Sequence, residues 1–419
     1  GIDFGTTNSS IARLNAQGTV DLAQFRFLGA PTASYRSLLY IEKTGPTLHS
    51  WTGPEGIEHY LASDSKGRMM QSLKSFLSSK TLVSTDIFGR RRTLEELISR
   101  ILRDLREKAE QQFHLKIRAA NVGRPVRFVG ADKPQDDEHA VKRLEKAFHM
   151  AGFESVRFEL EPVAAALYYE SLLDHDEVIL IGDFGGGTSD FSVIRVGPQA
   201  RRAGREASLL GNSGVGIAGD AFDAKIIRHV VSPALGSQSM MSSMGKTLPV
   251  PKWVYFNLER WHHLSFLKSK DVMDLLTSVR AQAHEPERIE NLIALIRDDL
   301  GYQLHGAVQQ TKSELSHGES ARFLFDDVSL RLDQTIARAS FEEWIGEELG
   351  RIEECVDSLL AQVGVDRKDV DRVFLTGGTS FVPAVRRIFE SRFGTERIQT
   401  GNEFTSVAWG LALASRGLQ

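Results

Sequence analysis

The sequence has little of what disulfide-linked, membrane or nucleic-acid-binding proteins require. Its single cysteine, Cys355, leaves no possible internal disulfide, which fits the reducing cytoplasm. No apolar run approaches the roughly 20 residues that a membrane-spanning helix needs. The 51 Lys and Arg residues against 55 Asp and Glu residues give a net charge of −4, so the basic excess typical of proteins that bind nucleic acid or anionic membranes is missing. We therefore expect a cytoplasmic protein with no nucleic-acid or membrane partner.

What the sequence does contain indicates an α/β protein. Apolar residues make up 41% and charged residues 25% of the chain, as in ordinary globular proteins. Periodic apolar positions predict helices over 90–112 and 136–151, and short β-type runs predict strands over 126–129 and 156–160. A capping-box pattern predicts one long helix over 340–363.

Residues 233–300 differ in character from the rest of the chain. A Ser- and Met-rich stretch at 237–244 predicts a loop, and the aromatic residues that follow predict packed helices. We interpret the segment as a helical insertion into a more regular core. The aromatic residues are Trp253, Tyr255, Phe256, Trp261 and Phe266.

Two glycine-bearing stretches resemble each other. DFGTTNS at 3–9 and DFGGGTS at 183–189 lie 180 residues apart, and each is followed by a β-type run, so we predict two hairpins in a duplicated α/β unit. Glycine lets backbone N–H groups approach an anion, and neighbouring hydroxyl groups add donors. Neither stretch has the Walker lysine or opens a helix. One alone would suggest a plain glycine-rich turn, whereas two alike favour phosphate binding.

Acidic residues next to these stretches are candidates for holding a cation. Asp3 and Asp183 each end an apolar strand, and two carboxylates about 4 Å apart repel by roughly 4 kcal/mol at an effective dielectric of about 20. A hydrated Mg²⁺ removes this repulsion, because it keeps several waters and needs few carboxylates. Glu161, just before Pro162 and an Ala-rich helix, is a third candidate. Each acid could instead be a solvated loop residue or a helix cap.

A third glycine turn connects a strand to a helix. Residues 373–376 form the predicted strand, Gly377, Gly378 and Thr379 form the turn, and Pro383 begins the predicted helix. A strand, a glycine turn and a helix N-terminus together can bind a phosphate or another polar edge of a ligand. An ordinary strand-to-helix connection is an equal alternative.

Together these motifs resemble a known family, the nucleotide-binding domain of the seventy-kilodalton heat-shock chaperones, within the actin-like ATPase superfamily. The stretches 72–77 and 249–264 are most similar to the short bacterial YegD-like members, which lack the peptide-binding domain. Because the sequence ends at Gln419, soon after a predicted helix, we expect that domain to be absent here too. The matching stretches follow the family order: GIDFGTTNS (1–9), ELEPVAAALYY (159–169), ILIGDFGGGTSDFSVI (179–194), GIAGDAFD (216–223), TKSELS (311–316) and FLTGGTSFVP (374–383).

The resemblance implies an actin-like ATPase fold with two lobes, each with a duplicated α/β core, around a central nucleotide cleft. Lobe I would comprise 1–174 and be completed by 400–419. Lobe II would comprise 175–399 and carry the helical insertion at about 233–300.

The resemblance also implies roles for individual residues. Asp3, Glu161 and Asp183 would surround a hydrated Mg²⁺, and the catalytic residues would be Lys74, Glu161, Asp183 and Thr188. The phosphates of ATP or ADP would be held by Gly5, Thr6, Thr7 and Asn8 from one lobe and by Gly185, Gly186, Gly187 and Thr188 from the other. The adenosine would be bordered by Lys312, Ser316, Gly377, Gly378, Thr379 and Phe381.

The implied function is that of an ATP-binding and ATP-hydrolysing, chaperone-like protein with an unidentified client or partner protein. Three residues depart from the family pattern, and one of them, Phe404, stands where the family often has an aspartate. Phe381 stands where the family has an adenine-stacking arginine, and Gln309 stands where it has a glutamate beside the ribose. These departures keep open a nucleotide-dependent binding or assembly module with negligible turnover. A small-molecule kinase of the same superfamily is a third alternative, which would need an aspartate facing an acceptor substrate.

Overall fold

The computed structural model describes residues 1–27, 29–63, 67–131, 133–170, 173–203, 208–243, 245–259, 267–298, 300–327, 330–400 and 406–417. The chain divides into two compact units. The first unit comprises Gly1–Ala218, Arg351–Phe381 and Val385–Gln419, and the second comprises Gly219–Gly350 and Val382–Ala384. This division does not test the lobe boundaries expected from the sequence, which stay a prediction.

Short strands dominate the first unit, and two hairpins lie in the second. In chain order the strands are β1 (Ile2–Phe4), β2 (Asn8–Leu14), β3 (Val20–Leu22), β4 (Phe25–Phe27), β5 (Ala30–Thr32), β6 (Tyr35–Arg36), β7 (Leu38–Thr44), β8 (Thr47–Thr52), β9 (Arg68–Gln71), β10 (Ser84–Ile87), β11 (Arg90–Thr93), β12 (Ala119–Arg124), β13 (Ser155–Leu160), β14 (Glu177–Phe184), β15 (Ser189–Val196), β16 (Leu209–Val215), β17 (Met240–Ser243), β18 (Lys246–Pro249), β19 (Ser320–Asp326), β20 (Arg331–Ala337), β21 (Arg372–Thr376) and β22 (Ile398–Thr400).

Helices connect and cover the strands. In chain order they are α1 (Gly53–Ala62), α2 (Leu94–Phe113), α3 (Pro134–Met150), α4 (Glu161–Glu170), α5 (Pro198–Ala203), α6 (Gly219–Ile226), α7 (Lys252–Glu259), α8 (Lys270–Gln282), α9 (Pro286–Arg297), α10 (Gly301–His317), α11 (Arg338–Trp344), α12 (Gly346–Val363), α13 (Pro383–Phe393) and α14 (Ser406–Leu413). A π-helical turn (Ile227–Val231) follows α6, and short 3₁₀ segments include Leu73–Phe76 and Gly378–Phe381.

The first unit contains two sheets with the same strand order. One runs β13-β12-β1-β2-β3, with β6 also paired to β2, and the other runs β22-β21-β14-β15-β16. The central strands are β1 and β14. In each sheet the two strands on one side of the central strand run parallel to it. On the other side the hairpin partner is antiparallel to the central strand, and the next strand is antiparallel to the hairpin partner. This equivalence confirms the predicted duplication of an α/β unit.

Helices α2 and α3 cover the first sheet. The helix α2 begins with a capping box, in which Thr93 Oγ1 accepts a hydrogen bond from the N–H of Glu96 and Glu96 Oε2 accepts one from the N–H of Thr93. Its apolar stripe is fully buried, and each such side chain contributes about 1.5–3 kcal/mol through burial. The stripe consists of Leu94, Leu97, Ile98, Ile101, Leu102 and Leu105.

Helices α4 and α14 pack closely, each following the outermost parallel strand of its sheet. A Cβ atom on Gly410 would lie 1.7 Å from the carbonyl oxygen of Ala164, so glycine is what lets the two helices approach. Val407 and Leu411 of α14 are buried against Ala164. The helix pair therefore ties the two duplicated sheets together.

In the second unit, α10 packs against the β19–β20 hairpin and against α6. The hairpin alternates buried and exposed residues along β19, with Phe323 and Phe325 buried. The Ser- and Met-rich stretch was expected to be a loop, but residues 240–243 of it form β17, which pairs with β18 in a hairpin, and Gly245 before β18 has φ +75°. Glycine adopts that left-handed conformation without strain.

Three other expectations were wrong in detail. The strand expected at 126–129 lies earlier, as β12, and ends before Pro125, which cannot donate to a strand pairing. Residues 90–93 form β11 instead of the start of a helix. The single helix expected over 340–363 is interrupted between Trp344 and Gly346, where glycine has low helix propensity.

In the aromatic cluster of the insertion, Tyr255 is buried while Trp253 and Phe256 are 43% and 55% exposed, so only part of the cluster packs into a core. Trp261 and Phe266 lie outside the described residues. Among the helices that the structure describes, none is both long and apolar enough to cross a membrane.

Candidate functional site

The two predicted phosphate turns have the same construction. One joins β1 to β2 and the other joins β14 to β15. In the second turn the N–H of Gly185 donates to the carbonyl of Thr188 at 2.9 Å. In the first, a Cβ atom on Gly5 would lie 2.2 Å from the carbonyl oxygen of Asn8. Each turn is therefore closed by a glycine whose backbone approaches the residue three positions later.

The hairpins that carry these turns are also in the same register. Asp3 pairs with Ser10 across the first hairpin, and Asp183 pairs with Asp190 across the second. The partners Ser10 and Asp190 are separated by 180 residues, the same distance that separates the two sequence motifs. Asp3 and Asp183 therefore occupy equivalent positions, two residues before the first glycine of each turn.

Lys74 and Glu161 form a buried ion pair between these hairpins' acidic residues. Lys74 Nζ lies 2.8 Å from Glu161 Oε1, and the two side chains are only 7% and 10% exposed. Burial alone would lower the pKa of Lys74, but the charges of Glu161 and Asp3 outweigh burial, so this pKa lies above its ordinary value. Lys74, the lysine for which the resemblance implies a catalytic role, is thus a positively charged group held by an ion pair.

Asp3 and Asp183 both lie within electrostatic reach of this pair. Burial, and then the negative charge of Glu161, raise the pKa of Asp3 to about 8, while Lys74 opposes the shift. The same two causes raise the pKa of Asp183 to about 6, opposed by the hydroxyl of Thr376, which donates to Asp183 Oδ1 at 2.7 Å. The structure therefore brings together the three acids that were predicted to surround a metal ion.

Asp190 belongs to the same cluster and was missed by the sequence analysis. It is 3% exposed, and burial, followed by Glu161 and Asp183, raises its pKa well above the ordinary value. Its Oδ2 accepts a hydrogen bond from Thr188 Oγ1 at 3.1 Å, while Oδ1 has no hydrogen-bond partner among the described residues. An acidic residue inside a mostly buried strand, two positions after Thr188, was the available signal.

This cluster has the chemistry of a hydrated-cation site. Four carboxylates face one lysine, and the raised pKa values of Asp3 and Asp183 and the unpaired Asp190 Oδ1 show that they lack countercharge. Within the described part of the chain, no three acidic, histidine or cysteine side chains are arranged to hold a metal ion directly. A Mg²⁺ ion that keeps most of its own waters needs few direct carboxylate ligands, and the excess of carboxylates over lysine in this cluster is compatible with such an ion.

The third glycine turn packs onto the end of β14. Gly377 has φ +85°, and a Cβ atom there would lie 2.0 Å from the carbonyl oxygen of Phe184, so no other residue fits. Thr379 is buried, and the ring of Phe381 is 45% exposed at the end of the 3₁₀ segment. The strand, turn and helix order that was predicted here is confirmed, with α13 beginning at Pro383.

Lys312 and Ser316, predicted to border the adenosine, lie one turn apart on α10 in the second unit. Lys312 Nζ forms an ion pair with the buried Asp223 at 2.7 Å and donates to the carbonyl of Gly219 at 3.2 Å. Ser316 Oγ donates to the carbonyl of Lys312. Asp223 and Gly219 belong to the GIAGDAFD stretch, so two of the matching stretches meet here.

Comparison with known proteins gives the same family as the motifs. The Hsp70 protein family matches residues 58–242 and 288–418. A chaperone protein dnaK of Cyanidioschyzon merolae (strain NIES-3377 / 10D) is 26% identical over 437 residues, which cover 99% of this chain and 60% of that protein. A chaperone protein DnaK of Thermosipho africanus (strain TCF52B) is 25% identical over 416 residues, which cover 99% of this chain and 58% of that protein. The chain thus spans about three fifths of the length of these relatives.

Proposed function

This chain belongs to the Hsp70 protein family, and from that premise we propose that it is an ATP-binding and ATP-hydrolysing chaperone-like protein. Its fold is the actin-like ATPase fold of that family, as the sequence predicted. Within the family we propose a YegD-like member, on the grounds of the stretches 72–77 and 249–264. An unidentified client or partner protein and a cytoplasmic location, which the single cysteine favours, belong to the same proposal.

One observation carries the proposal. The buried pair of Lys74 and Glu161 lies with Asp3 and Asp183 at the bases of two equivalent hairpin turns. A single glycine turn is common in proteins without a ligand, whereas two equivalent turns beside a buried cluster of acids and one lysine are a costly arrangement without a charged ligand. A triphosphate with a divalent cation supplies that charge.

The residues of the two turns would bind the phosphates through backbone N–H and hydroxyl groups. We propose this role for Gly5, Thr6, Thr7 and Asn8 in the first turn and for Gly185, Gly186, Gly187 and Thr188 in the second. Phosphoryl transfer depends on positioning and charge stabilisation more than on covalent catalysis. Two turns that hold one phosphate chain from both sides supply that positioning.

Lys74, Thr188 and the acidic residues would supply the chemistry. Lys74 offsets the negative charge that develops on the transferred group, because its acidic neighbours keep it protonated despite its burial and the ion pair with Glu161 holds it in place. Thr188, whose hydroxyl is held by Asp190, orients the attacking water together with Glu161 and Asp183. A hydrated Mg²⁺ held by Asp3, Glu161 and Asp183 would neutralise phosphate charge.

The output would be a conformational change. Since the two turns come from the two predicted lobes, the γ-phosphate would favour a closed arrangement and hydrolysis would release it. A partner protein would respond to that change. The adenosine contacts predicted for Lys312, Ser316, Gly377, Gly378, Thr379 and Phe381 remain part of the proposal.

The proposal is tested with the purified chain, Mg²⁺ and ATP, and no acceptor molecule. We expect phosphate release together with a rise in melting temperature on adding ATP. A large rise in melting temperature with no phosphate release would instead favour the binding or assembly module. ATP consumption that requires an added small-molecule acceptor would favour the kinase. Neither binding nor hydrolysis would refute the proposal.

A further inference from the structure

Arg143 lies on α3, which covers the first sheet, and the nitrogens of its side chain donate several hydrogen bonds to other parts of the chain. Its side chain is 8% exposed, and Nε donates to Glu95 Oε1 at 2.8 Å. The other two nitrogens donate only to backbone carbonyls. Nη1 reaches those of Phe76, Leu77 and Ser79, at 3.3, 3.3 and 2.9 Å, and Nη2 reaches that of Leu82 at 3.0 Å.

All four carbonyls belong to the segment that directly follows Lys74. Lys74 lies in the 3₁₀ segment Leu73–Phe76, and residues 77–83 form neither helix nor strand. Successive three-residue hydrogen bonds continue the segment, from Leu77 N–H to Lys74 O at 3.2 Å and from Ser79 N–H to Phe76 O at 3.1 Å. The carbonyls beyond have no regular partners, and Arg143 supplies a donor for them.

The other side of Lys74 is conformationally strained. Ser72 is buried and has φ +53°, the left-handed region that non-glycine residues rarely adopt and that costs about 1–3 kcal/mol. Such a conformation persists only where surrounding contacts fix it. Arg143 provides the contacts on the C-terminal side, so the turn that carries Lys74 is held by the guanidinium of another helix.

Glu95 explains how the charged guanidinium of Arg143 can be buried while it holds the turn that carries Lys74. Its carboxylate neutralises the guanidinium, and both side chains are largely buried, at 8% and 10% exposure. A planar guanidinium with five donors can bind a carboxylate and several carbonyls at once, whereas a lysine ammonium has three donors and no fixed plane. The position therefore calls for arginine specifically.

We infer that Arg143 is a positioning residue for Lys74, which acts by fixing the backbone that follows the lysine. The inference rests on the proposed ATPase function, because Lys74 has a catalytic role only there. Arg143 does not contact the acidic cluster in the structure, so it acts on turnover through Lys74. Displacing a catalytic group by about 1 Å can lower a rate roughly a hundredfold.

The test is a double-mutant cycle in the full chain, with kcat and the dissociation constant for Mg²⁺-ATP measured for each variant. Arg143→Lys is made in the wild-type and in the Lys74→Ala background. In the wild-type background we expect kcat to fall roughly tenfold or more, with the dissociation constant changed less than about threefold. In the Lys74→Ala background we expect kcat to change less than about twofold, because the two effects pass through one group.

Arg397→Lys is the matched control. Nη1 of Arg397 also collects three backbone carbonyls, those of Arg367, Lys368 and Val370, but in a segment that carries none of the predicted site residues. We expect this variant to keep the wild-type kcat. If Arg143→Lys is unfolded at the assay temperature, the double variant Glu95→Gln/Arg143→Met takes its place, since it leaves no buried charge unpaired.

The outcomes separate this inference from the proposed function. An equal fall in kcat in both backgrounds, or an unchanged kcat in the wild-type background, overturns the positioning role and leaves the ATPase proposal intact. No phosphate release by the wild-type chain overturns the proposed function, and the positioning role with it.

Discussion

At the scale of single residues, Lys74 is defined by opposing electrostatic effects. Burial favours the neutral amine, whereas Glu161 at 2.8 Å and the nearby Asp3 favour the ammonium, and the acids prevail. A lysine held in this way loses little freedom when it stabilises charge on a ligand, because its position is already fixed. Its contribution to catalysis should therefore exceed its contribution to binding.

Replacing Lys74 with alanine is accordingly expected to reduce turnover more than affinity. Removing one fixed donor of transition-state charge typically lowers kcat about 10²–10³-fold, and we expect a fall of at least about tenfold. Mg²⁺-ATP binding, measured by calorimetry, should persist through the two turns. Lys80→Ala is the control, since Lys80 is 67% exposed and pairs with Asp136. Unchanged turnover would remove Lys74 from the catalytic role.

Glu95 gives a prediction of pH dependence. Burial would raise its pKa, but the hydrogen bond from Arg143, a backbone hydrogen bond and the charges of Arg143 and Lys146 together outweigh burial and hold this pKa below the ordinary 4.5. A carboxyl group with a lowered pKa stabilises the fold above its ordinary value, and that stability is lost as the pH falls through the lowered value. Glu95→Gln should thus reduce the free energy of unfolding by about 3–5 kcal/mol near neutral pH.

As the pH falls from 4.5 through the lowered pKa, the carboxyl group of the folded wild-type chain takes up its proton, so we expect the difference in unfolding free energy from Glu95→Gln to shrink. Urea titrations at a series of pH values measure it. The control is Glu107→Gln on the same helix, because Glu107 is 52% exposed and exposed ion pairs contribute about 0–1 kcal/mol. A difference that stayed constant down to acid pH would contradict the lowered pKa of Glu95.

Asp190 shows why some site residues could not be predicted from the sequence. Asp3, Asp183 and Glu161 each stand beside a visible marker, a glycine turn or a proline. Asp190 stands inside a strand, and only the register of β14 with β15 places it opposite Asp183. Its environment is created by strand pairing and by Gly214 on β16, where a Cβ atom would lie 2.5 Å from Asp190 Oδ1.

At the scale of elements, prediction succeeded where the signal is local. The two hairpins follow from short motifs with their own glycines, and α2 follows from an apolar stripe and a capping box. Prediction failed where contacts with other parts of the chain determine the local structure. The helix expected over 340–363 has the right periodicity, yet it is interrupted before Gly346. The pairing that turns 240–249 into a hairpin is likewise not visible in the composition of that stretch.

The crossing of α4 and α14 yields a prediction about stability. Alanine at position 410 would place a Cβ atom 1.7 Å from the carbonyl oxygen of Ala164, so the two helices would have to separate. We expect Gly410→Ala to lower the free energy of unfolding by about 1–3 kcal/mol, although alanine favours a helix by about 1 kcal/mol over glycine. Urea titration at neutral pH measures the change.

Gly350→Ala is the matched control, since Gly350 also lies inside a helix but a Cβ atom there would meet open space. Helix propensity acts alone at that position, so we expect stability to rise by up to about 1 kcal/mol. If Gly410→Ala were as stabilising as Gly350→Ala, the close approach of α4 and α14 would not be a constraint on this fold.

At the scale of the whole molecule, the fold depends on pairings between distant parts of the chain. Ile2 on β1 pairs with Val122 on β12, and Ile181 on β14 pairs with Phe374 on β21. No local pattern specifies such partners, so the residues alone predicted an α/β protein and a repeat. The arrangement of two equivalent sheets came from the resemblance to a family, which the comparisons support.

The shared acidic cluster of the two sheets leads to a prediction for the intact chain. The negative charge of Asp183 disfavours the ionised forms of both Asp3 and Asp190, and without a cation these acids would repel a triphosphate. A ligand at a hundredfold excess over its dissociation constant stabilises the protein that binds it by about 2.7 kcal/mol. We therefore expect ATP with Mg²⁺ to raise the melting temperature by several degrees, and ATP with a chelator to raise it much less.

The variant Asp3→Asn/Asp183→Asn tests whether Mg²⁺ acts by neutralising these two carboxylates or only by a general effect of ionic strength on ATP binding. It removes two of the charges that Mg²⁺ would neutralise, so the dependence of the ATP-induced shift on Mg²⁺ should weaken, while phosphate release should be lost. Asp326→Asn is the control, because Asp326 is 54% exposed in the second unit. If the wild-type shift were the same with and without the chelator, the acidic cluster would not be a cation site, and the role given to Asp3 and Asp183 would fail.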